Sequence, residues 1–175
     1  MKTILVPTDY SETANNALQY AIELAKLSNA KIVLLHAYQV PLPTGDIPVL
    51  MVTPKELEKE NIFRIQKLEK KFAKQLLGKI KIEHIVNAGF VTDEILTVAK
   101  EKKVDIIVMG VTGAGKVAET LLGSNTTALI NKTQIPILVI PNNARYKKIT
   151  KFVLAYDYKG EIDEKVMKKI KIFVQ

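Results

Sequence analysis

The sequence predicts an α/β protein built on a doubly wound, five-stranded parallel sheet. Five short apolar runs rich in β-branched residues alternate along the chain with segments whose apolar residues recur at helical spacing. This β-α-β-α-β-α-β-α-β order favours parallel pairing, because a strand followed by a helix and a second strand needs a crossover connection. In such sheets, ligands lie outside the carboxyl ends of the strands, where the winding reverses.

The first strand and helix follow from residue type and spacing. Thr3 to Val6 is rich in β-forming residues and predicts the first strand. Asp9 or Ser11 is expected to cap the following helix, which runs to Ala25 or beyond and ends at Asn29. The predicted apolar face of this helix contains Ala14, Ala17, Leu18, Ala21, Ile22, Leu24 and Ala25.

The later elements continue the alternation. Val40 to Pro54 is rich in proline, so we expect a long loop rather than a helix or strand. Thr92 or Asp93 is expected to cap a short helix after the break at Gly89. The other predicted elements are strands over Lys31 to Ala37, Ile80 to Val86, Asp105 to Met109 and Pro136 to Ile140, and helices over Lys55 to Leu77 and Ser124 to Asn131.

Composition narrows the class of function. The chain has no cysteine, which excludes disulfides, zinc–thiolate sites and thiol nucleophiles, and is compatible with a reducing cytoplasm. Its apolar runs are too short for a signal peptide or a membrane span. The net charge is +8, but the lysines are mixed with glutamates and not interleaved with aromatic residues. We therefore expect a solvated surface, with neither nucleic acid nor membrane as a partner.

The last part of the chain repeats the beginning. KFVLAYDY at 151–158 echoes ILVPTDY at 4–10, and a helix-like stretch follows it. We interpret residues 1–143 as one domain, 144–150 as a linker and 151–175 as the truncated β-α start of a second copy. A fragment of this length cannot bury a core of its own.

A glycine-rich loop follows the fourth strand. Gly110 and Gly113 come just past its apolar run, and Gly123 precedes a Ser-Asn-Thr-Thr cluster that predicts a helix N-cap. Glycines there let a ligand approach the backbone, and free N–H groups at a helix start suit an anion. The alternative is that the glycines only shape turns. Asp9, at the end of the first strand, is expected to accept from a ribose hydroxyl or a base amine, to cap the first helix, or both.

Other chemistry is not supported by the sequence. Residues 110–116 almost match a phosphate-binding loop, but Val117 replaces the hydroxyl residue that would hold Mg²⁺. His36 lies inside an apolar strand and is interpreted as a core histidine, and His84 has no partner at a metal-like spacing. Ser124 has no evident base. The sequence therefore predicts no catalytic residue and no protein-bound metal.

The glycine spacing resembles a known family. Gly110-x-x-Gly113, nine residues and then Gly123-Ser124 form the pattern GxxGx9G[ST] of the universal stress protein family, and of its ATP-binding branch. ILVPTDYSETA, LLHAY and PILVIP are similar to that family's first, second and fifth strands. The resemblance covers residues 1–143, and the echo at 151–158 resembles the start of the second domain in tandem members.

The resemblance implies a five-stranded sheet of the adenine nucleotide alpha hydrolase type with an ATP-binding cleft. It implies that Pro7 and Asp9 border the adenosine, that Ala37 meets adenine through its backbone, and that Met109 and Gly110 border the cleft. The residues that it implies as holding the phosphates are Gly113, Gly123, Ser124, Asn125 and Thr126. Asn125 departs from the apolar residue common there. The residues that it implies as nucleotide-binding are Pro7, Thr8, Asp9, Ala37, Met109, Gly110, Gly113, Gly123, Ser124, Asn125 and Thr126.

The function implied is an adenine-nucleotide-binding stress-response or signalling module of the cytoplasm. ATP, alone or with Mg²⁺, is the expected cofactor, with slow hydrolysis at most. A homodimer through the fifth strand is expected, unless the second copy occupies that edge. One alternative is a dimeric interaction protein that does not depend on nucleotide. The other is a true phosphotransferase or NTPase, which Val117 argues against.

Overall fold

A computed structural model describes residues 1–40, 53–76, 78, 80–111, 123–147, 149–151, 153 and 155. The chain divides into two compact units, Met1–Ala144 and Arg145–Gln175. The described elements all lie in the first unit and alternate as the sequence predicts. They are β1 Thr3–Pro7, α1 Glu12–Ser28, β2 Lys31–Tyr38, α2 Pro54–Leu76, β3 Ile82–Ala88, α3 Val91–Glu101, β4 Ile106–Val111, α4 Ser124–Lys132 and β5 Ile137–Pro141.

The five strands form one parallel sheet in the order β3-β2-β1-β4-β5. This confirms the predicted fold class. The chain winds outward from β1 to β3, then crosses to the other side of β1 and continues to β5. The winding therefore reverses between β1 and β4. The carboxyl ends of those two strands are where a ligand is expected in this class of sheet.

The central strands are buried on both faces. Ile4 and Leu5 of β1 are both inaccessible to solvent, although consecutive side chains of a strand point to opposite faces. On one face, Leu5, Leu35 and Ile107 pack with α3 and α4 in a single core cluster. Burial on both faces explains why these strands are continuous apolar runs rather than alternating ones.

Helix α1 forms as its residues predict. The Ser11 Oγ atom accepts a hydrogen bond from the Ala14 N–H at 3.2 Å, and Asn29 ends the helix in the left-handed conformation. Its buried residues are the seven of the predicted apolar face: Ala14, Ala17, Leu18, Ala21, Ile22, Leu24 and Ala25.

Helix α3 begins earlier than predicted, and neither Thr92 nor Asp93 caps it. Phe90 is the N-cap residue and makes no side-chain capping bond. The Gly89 N–H donates to the Tyr38 carbonyl at 2.8 Å, which holds the turn against β2 until the helix starts. Similarly, Gly123 rather than the serine after it is the N-cap residue of α4.

The prediction of a second copy concerns the second unit. That unit's described residues, 145–147, 149–151, 153 and 155, belong to no helix or strand. Most of the predicted strand and the whole of the predicted helix lie outside the described residues. Among the described residues, no helix is both long and apolar enough to span a membrane.

Candidate functional site

A cavity of about 250 Å³ opens at the carboxyl edge of the sheet, at the reversal between β1 and β4. The strand ends, the start of α3 and the first turn of α4 surround it. Its lining residues are Pro7, Thr8, Asp9, Ser11, Ala14, Leu35, Ala37, Val91, Ile95, Met109, Gly110, Val111, Gly123, Ser124, Asn125 and Thr126.

The structure brings ten of the eleven predicted site residues to this one cavity. Gly113 lies outside the described residues, as does Lys116 of the phosphate-loop-like segment. Six lining residues were not predicted as site residues. Three of them, Leu35 of β2 and Val91 and Ile95 of α3, contribute apolar side chains to the lining of the cavity. The only sequence signal for the α3 residues is that they follow the break at Gly89.

The loop between β1 and α1 forms one wall of the cavity. The buried Thr8 donates its N–H to the Leu35 carbonyl at 2.8 Å, which fastens the loop to β2. Asp9 is exposed, and one carboxylate oxygen accepts the Ser11 N–H at 3.0 Å. Ser11, one of the two predicted caps, is the N-cap residue of α1, and Asp9, the other, is not. Asp9 is instead one of the residues that line the cavity.

A cluster of rings lies behind this wall. The His36 Nδ1 atom is 2.8 Å from the Thr8 carbonyl oxygen, so the half-buried histidine has a hydrogen-bond partner, as expected of a structural residue. The His36 ring centroid lies 4.4 Å from that of Tyr10. Burial raises the pKa of Tyr10 to about 12, and the nearby positive charge of Arg64 opposes that rise.

Gly110 and Gly123 differ in what surrounds them. Gly110 is within β4, and a Cβ atom there would lie 2.4 Å from the Thr13 carbonyl oxygen at the start of α1. Glycine at this position therefore allows the helix to pack on the strand. At Gly123, which lines the cavity, a Cβ atom would meet no atom of another described residue within 4 Å.

The first turn of α4 forms the opposite wall. Gly123 provides no side-chain cap, and the first turn contains no acidic residue. The first helical hydrogen bond joins the Thr127 N–H to the Gly123 carbonyl at 3.0 Å. The N–H groups of Ser124, Asn125 and Thr126 precede it, so the helix supplies no acceptor for them. This end of the cavity carries a positive partial charge.

The described lining of the cavity contains little charge. Among its lining residues in the described part of the chain, Asp9 is the only charged one. No group of three or more histidine, aspartate or glutamate residues in that part could hold a metal ion. The arrangement offers backbone N–H groups and hydroxyls at one end, and a carboxylate beside an apolar wall at the other.

Comparison with known proteins identifies the family. The model of the universal stress protein family matches residues 1–141. The chain belongs to the universal stress protein family. Universal stress protein MJ0577 of Methanocaldococcus jannaschii is 32% identical over 152 residues, which cover 79% of this chain and 94% of that protein. Its solved structure superposes with a TM-score of 0.59 over 82% of this chain and 98% of that one.

Two more distant structures share the fold. A universal stress protein solved in complex with cAMP is 24% identical, with a TM-score of 0.57, over 81% of this chain and 98% of that one. A universal stress protein from Archaeoglobus fulgidus, solved in complex with dAMP, is 20% identical, with a TM-score of 0.53, over 79% of this chain and 97% of that one. At these identities the likeness shows the fold alone.

Proposed function

We propose that this chain binds an adenine nucleotide, foremost ATP, in the cavity between β1 and β4, and acts in the cytoplasm as a stress-response or signalling module. One observation carries the proposal. The N-terminus of α4, to which Gly123 gives no side-chain cap, lines the cavity after β4, whereas the exposed Asp9 and apolar residues of β2 and α3 line it on the side of β1 and β2. A nucleotide has this polarity, because its anionic phosphates extend from an apolar base through a ribose with hydroxyl donors.

The α4 end suits the phosphates. Three successive N–H groups, from Ser124 to Thr126, are available for anionic oxygens. Thr126 is 3% exposed and lines the cavity, and its hydroxyl makes no hydrogen bond to another described residue. Because Thr126 lines the cavity, its hydroxyl can bond a phosphate oxygen of a bound ligand.

The opposite end suits the nucleoside. Asp9 can accept from a ribose hydroxyl or a base amine, and Leu35, Val91 and Ile95 offer apolar surface for the base. Ala37 lies at the end of β2, where its backbone can reach the base edge. The choice of an adenine nucleotide also follows the proteins of this fold that were solved with cAMP and dAMP.

Hydrolysis is expected to be slow at most. The lining residues within the described ranges include no histidine, lysine or arginine beside the phosphate end. Mg²⁺ typically binds through phosphate oxygens with one or two carboxylates. Asp9 is the one carboxylate in the described lining, so Mg²⁺ would enter on the phosphates of ATP rather than occupy a site of its own.

Two further features are part of the proposal. We infer that residues 151–175 begin a second domain copy, because KFVLAYDY echoes the first strand and its aspartate. A homodimer through the exposed edge of β5 is expected where that copy leaves the edge free, because β5 is an outer strand of the sheet.

Gly123→Val tests the proposed site directly. The glycine has φ −54°, which valine can adopt, and no atom of another described residue lies within 4 Å of its Cβ position. Because Gly123 lines the cavity, the valine side chain is expected to crowd a bound ligand. Asn131→Val is a matched control, because it places valine on an exposed position in the last turn of the same helix. We expect Gly123→Val to weaken binding of a fluorescent ATP analogue by about tenfold or more, a loss of roughly 1.4 kcal/mol. The control should bind as the wild type does.

The outcomes separate the rival functions. Equal affinity in wild type and Gly123→Val would refute the proposed phosphate end. A wild-type protein with no affinity for ATP and no thermal shift with ATP and Mg²⁺ would favour the nucleotide-independent interaction protein. Turnover of roughly ten ATP per second would indicate an ordinary NTPase instead.

A further inference from the structure

Tyr10 lies between residues that line the cavity but does not line it itself. Thr8, Asp9 and Ser11 all line the cavity, whereas the Tyr10 side chain lies against α2. Its φ is +67°, a left-handed conformation that bulky side chains rarely adopt. The turn therefore needs support from elsewhere in the structure, and such strain concentrates at functional sites.

The Tyr10 ring is held from two sides. The Tyr10 hydroxyl donates to the Asn61 carbonyl of α2 at 3.2 Å, and the Arg64 guanidinium lies 4.8 Å from the ring centroid. The His36 ring lies at 4.4 Å on the β2 side. The Tyr10 hydroxyl is a neutral donor at physiological pH, and burial extends this to alkaline pH by raising the pKa of Tyr10 from 10.0 to about 12.

The backbone on either side of Tyr10 is fixed as well. The Tyr10 N–H donates to the Thr8 Oγ1 atom at 3.0 Å, and the Ser11 N–H donates to Asp9 Oδ1 at 3.0 Å. These two hydrogen bonds fix the backbone immediately before and after Tyr10. They set the direction in which the Asp9 carboxylate leaves the loop. A change in the Tyr10 backbone conformation is therefore expected to reorient the Asp9 carboxylate.

We propose that Tyr10 is a positioning residue, whose ring, held between His36 and Arg64 and bonded to α2, presents Asp9 to the nucleoside half of the bound nucleotide. The inference rests on the proposed function, and it adds that helix α2 determines nucleoside selectivity without touching the ligand. The phosphate end does not depend on Tyr10, because α4 forms it.

Two ligands separate this role from a general effect on the fold. ATP uses both ends of the cavity, whereas inorganic tripolyphosphate uses only the α4 end. We expect Tyr10→Leu to weaken ATP binding by about tenfold and to leave tripolyphosphate affinity within about twofold. Tyr10→Phe keeps the ring, so it should retain most of the wild-type ratio of ATP to tripolyphosphate affinity. Calorimetric titration of each variant measures both affinities.

Arg64→Ala tests the same support from the surface of α2. It should reduce the ratio of ATP to tripolyphosphate affinity, by less than Tyr10→Leu does. Lys67→Ala is the matched control, because Lys67 is exposed on the same helix and forms no hydrogen bond or ion pair with another described residue. It should leave the ratio unchanged. A wild-type ratio in both Tyr10→Leu and Arg64→Ala would overturn the proposal.

A measurement made without ligand tests the role of Tyr10 independently of whether the protein binds a nucleotide. Hydrogen exchange of the Ser11 amide reports the turn itself, since that N–H is bonded to Asp9. We expect Tyr10→Leu to accelerate its exchange about tenfold and Lys67→Ala to leave it unchanged. Wild-type exchange in Tyr10→Leu would overturn the proposal even if ATP binds. Failure of wild-type protein to bind either ligand would refute the proposed function instead.

Discussion

Replacing Gly110 by alanine should destabilise the fold, although the glycine belongs to a motif associated with ligand binding. The added Cβ atom would lie 2.4 Å from the Thr13 carbonyl oxygen and 2.6 Å from its carbon, whereas ordinary contact begins at 3.4 Å. The first turn of α1 would have to move by about 1 Å, because backbone atoms cannot rotate away as a side chain can. The helix resists this movement, since Ala14, Ala17 and Leu18 pin it to the sheet.

The expected cost follows from overpacking. Introducing a methyl group into a tightly packed contact typically costs about 1–3 kcal/mol. For a chain of this size, about 2 kcal/mol lowers Tm by roughly 4–8 °C. Thermal unfolding followed by circular dichroism measures the change. Gly123→Ser is the matched control, because its Cβ atom meets no atom of another described residue within 4 Å and serine suits a helix N-cap as well as glycine does. It should unfold within about 1–2 °C of the wild type. A Gly110→Ala protein as stable as that control would refute the packing argument.

Two further predictions concern single polar groups. Tyr10→Phe should make the free energy of unfolding less dependent on pH in the alkaline range. The folded-state pKa of Tyr10 is about 12, above the ordinary value of 10. The stability that Tyr10 contributes is therefore complete below pH 10 and is lost as the pH rises toward 12. Denaturant unfolding of both proteins across that range measures the difference, and parallel profiles would contradict it. Thr126→Val should keep or raise Tm but weaken ATP binding by about 3–10-fold, the effect of one hydrogen bond; unchanged affinity would show that the hydroxyl does not face the ligand.

The sequence predicts which elements exist better than it predicts where they end. The third strand was expected at Ile80 to Val86 but spans Ile82–Ala88. Its limits come from its partner, because β2 begins at Lys31 and the register joins Ile32 to Ile82 and Tyr38 to Ala88. Ile80 is buried but precedes the paired residues. Residue type alone could not reveal this, since the register is a property of two strands.

Some residues of the candidate site could likewise be predicted from the sequence, and others could not. Residues next to strand ends, such as Asp9 and Ala37, could be predicted because parallel strands end at one edge of the sheet. Val91 and Ile95 could not, since their place depends on which strand neighbours β1. The contact between Tyr10 and Arg64 joins residues far apart in the chain, so no local pattern reveals it.

The two ends of the cavity should respond differently to divergence among relatives. In the proposed site, the binding groups at the α4 end are backbone N–H groups, which Asn125 supplies as well as an apolar residue would. Substitutions there are expected to leave the proposed anion site in place provided that Gly123 keeps the approach open. The proposed nucleoside end depends on the Asp9 carboxylate, and we propose that a ring anchored to α2 orients that carboxylate. A relative that keeps the glycine but loses the ring is therefore expected to retain phosphate binding and to discriminate poorly among nucleosides.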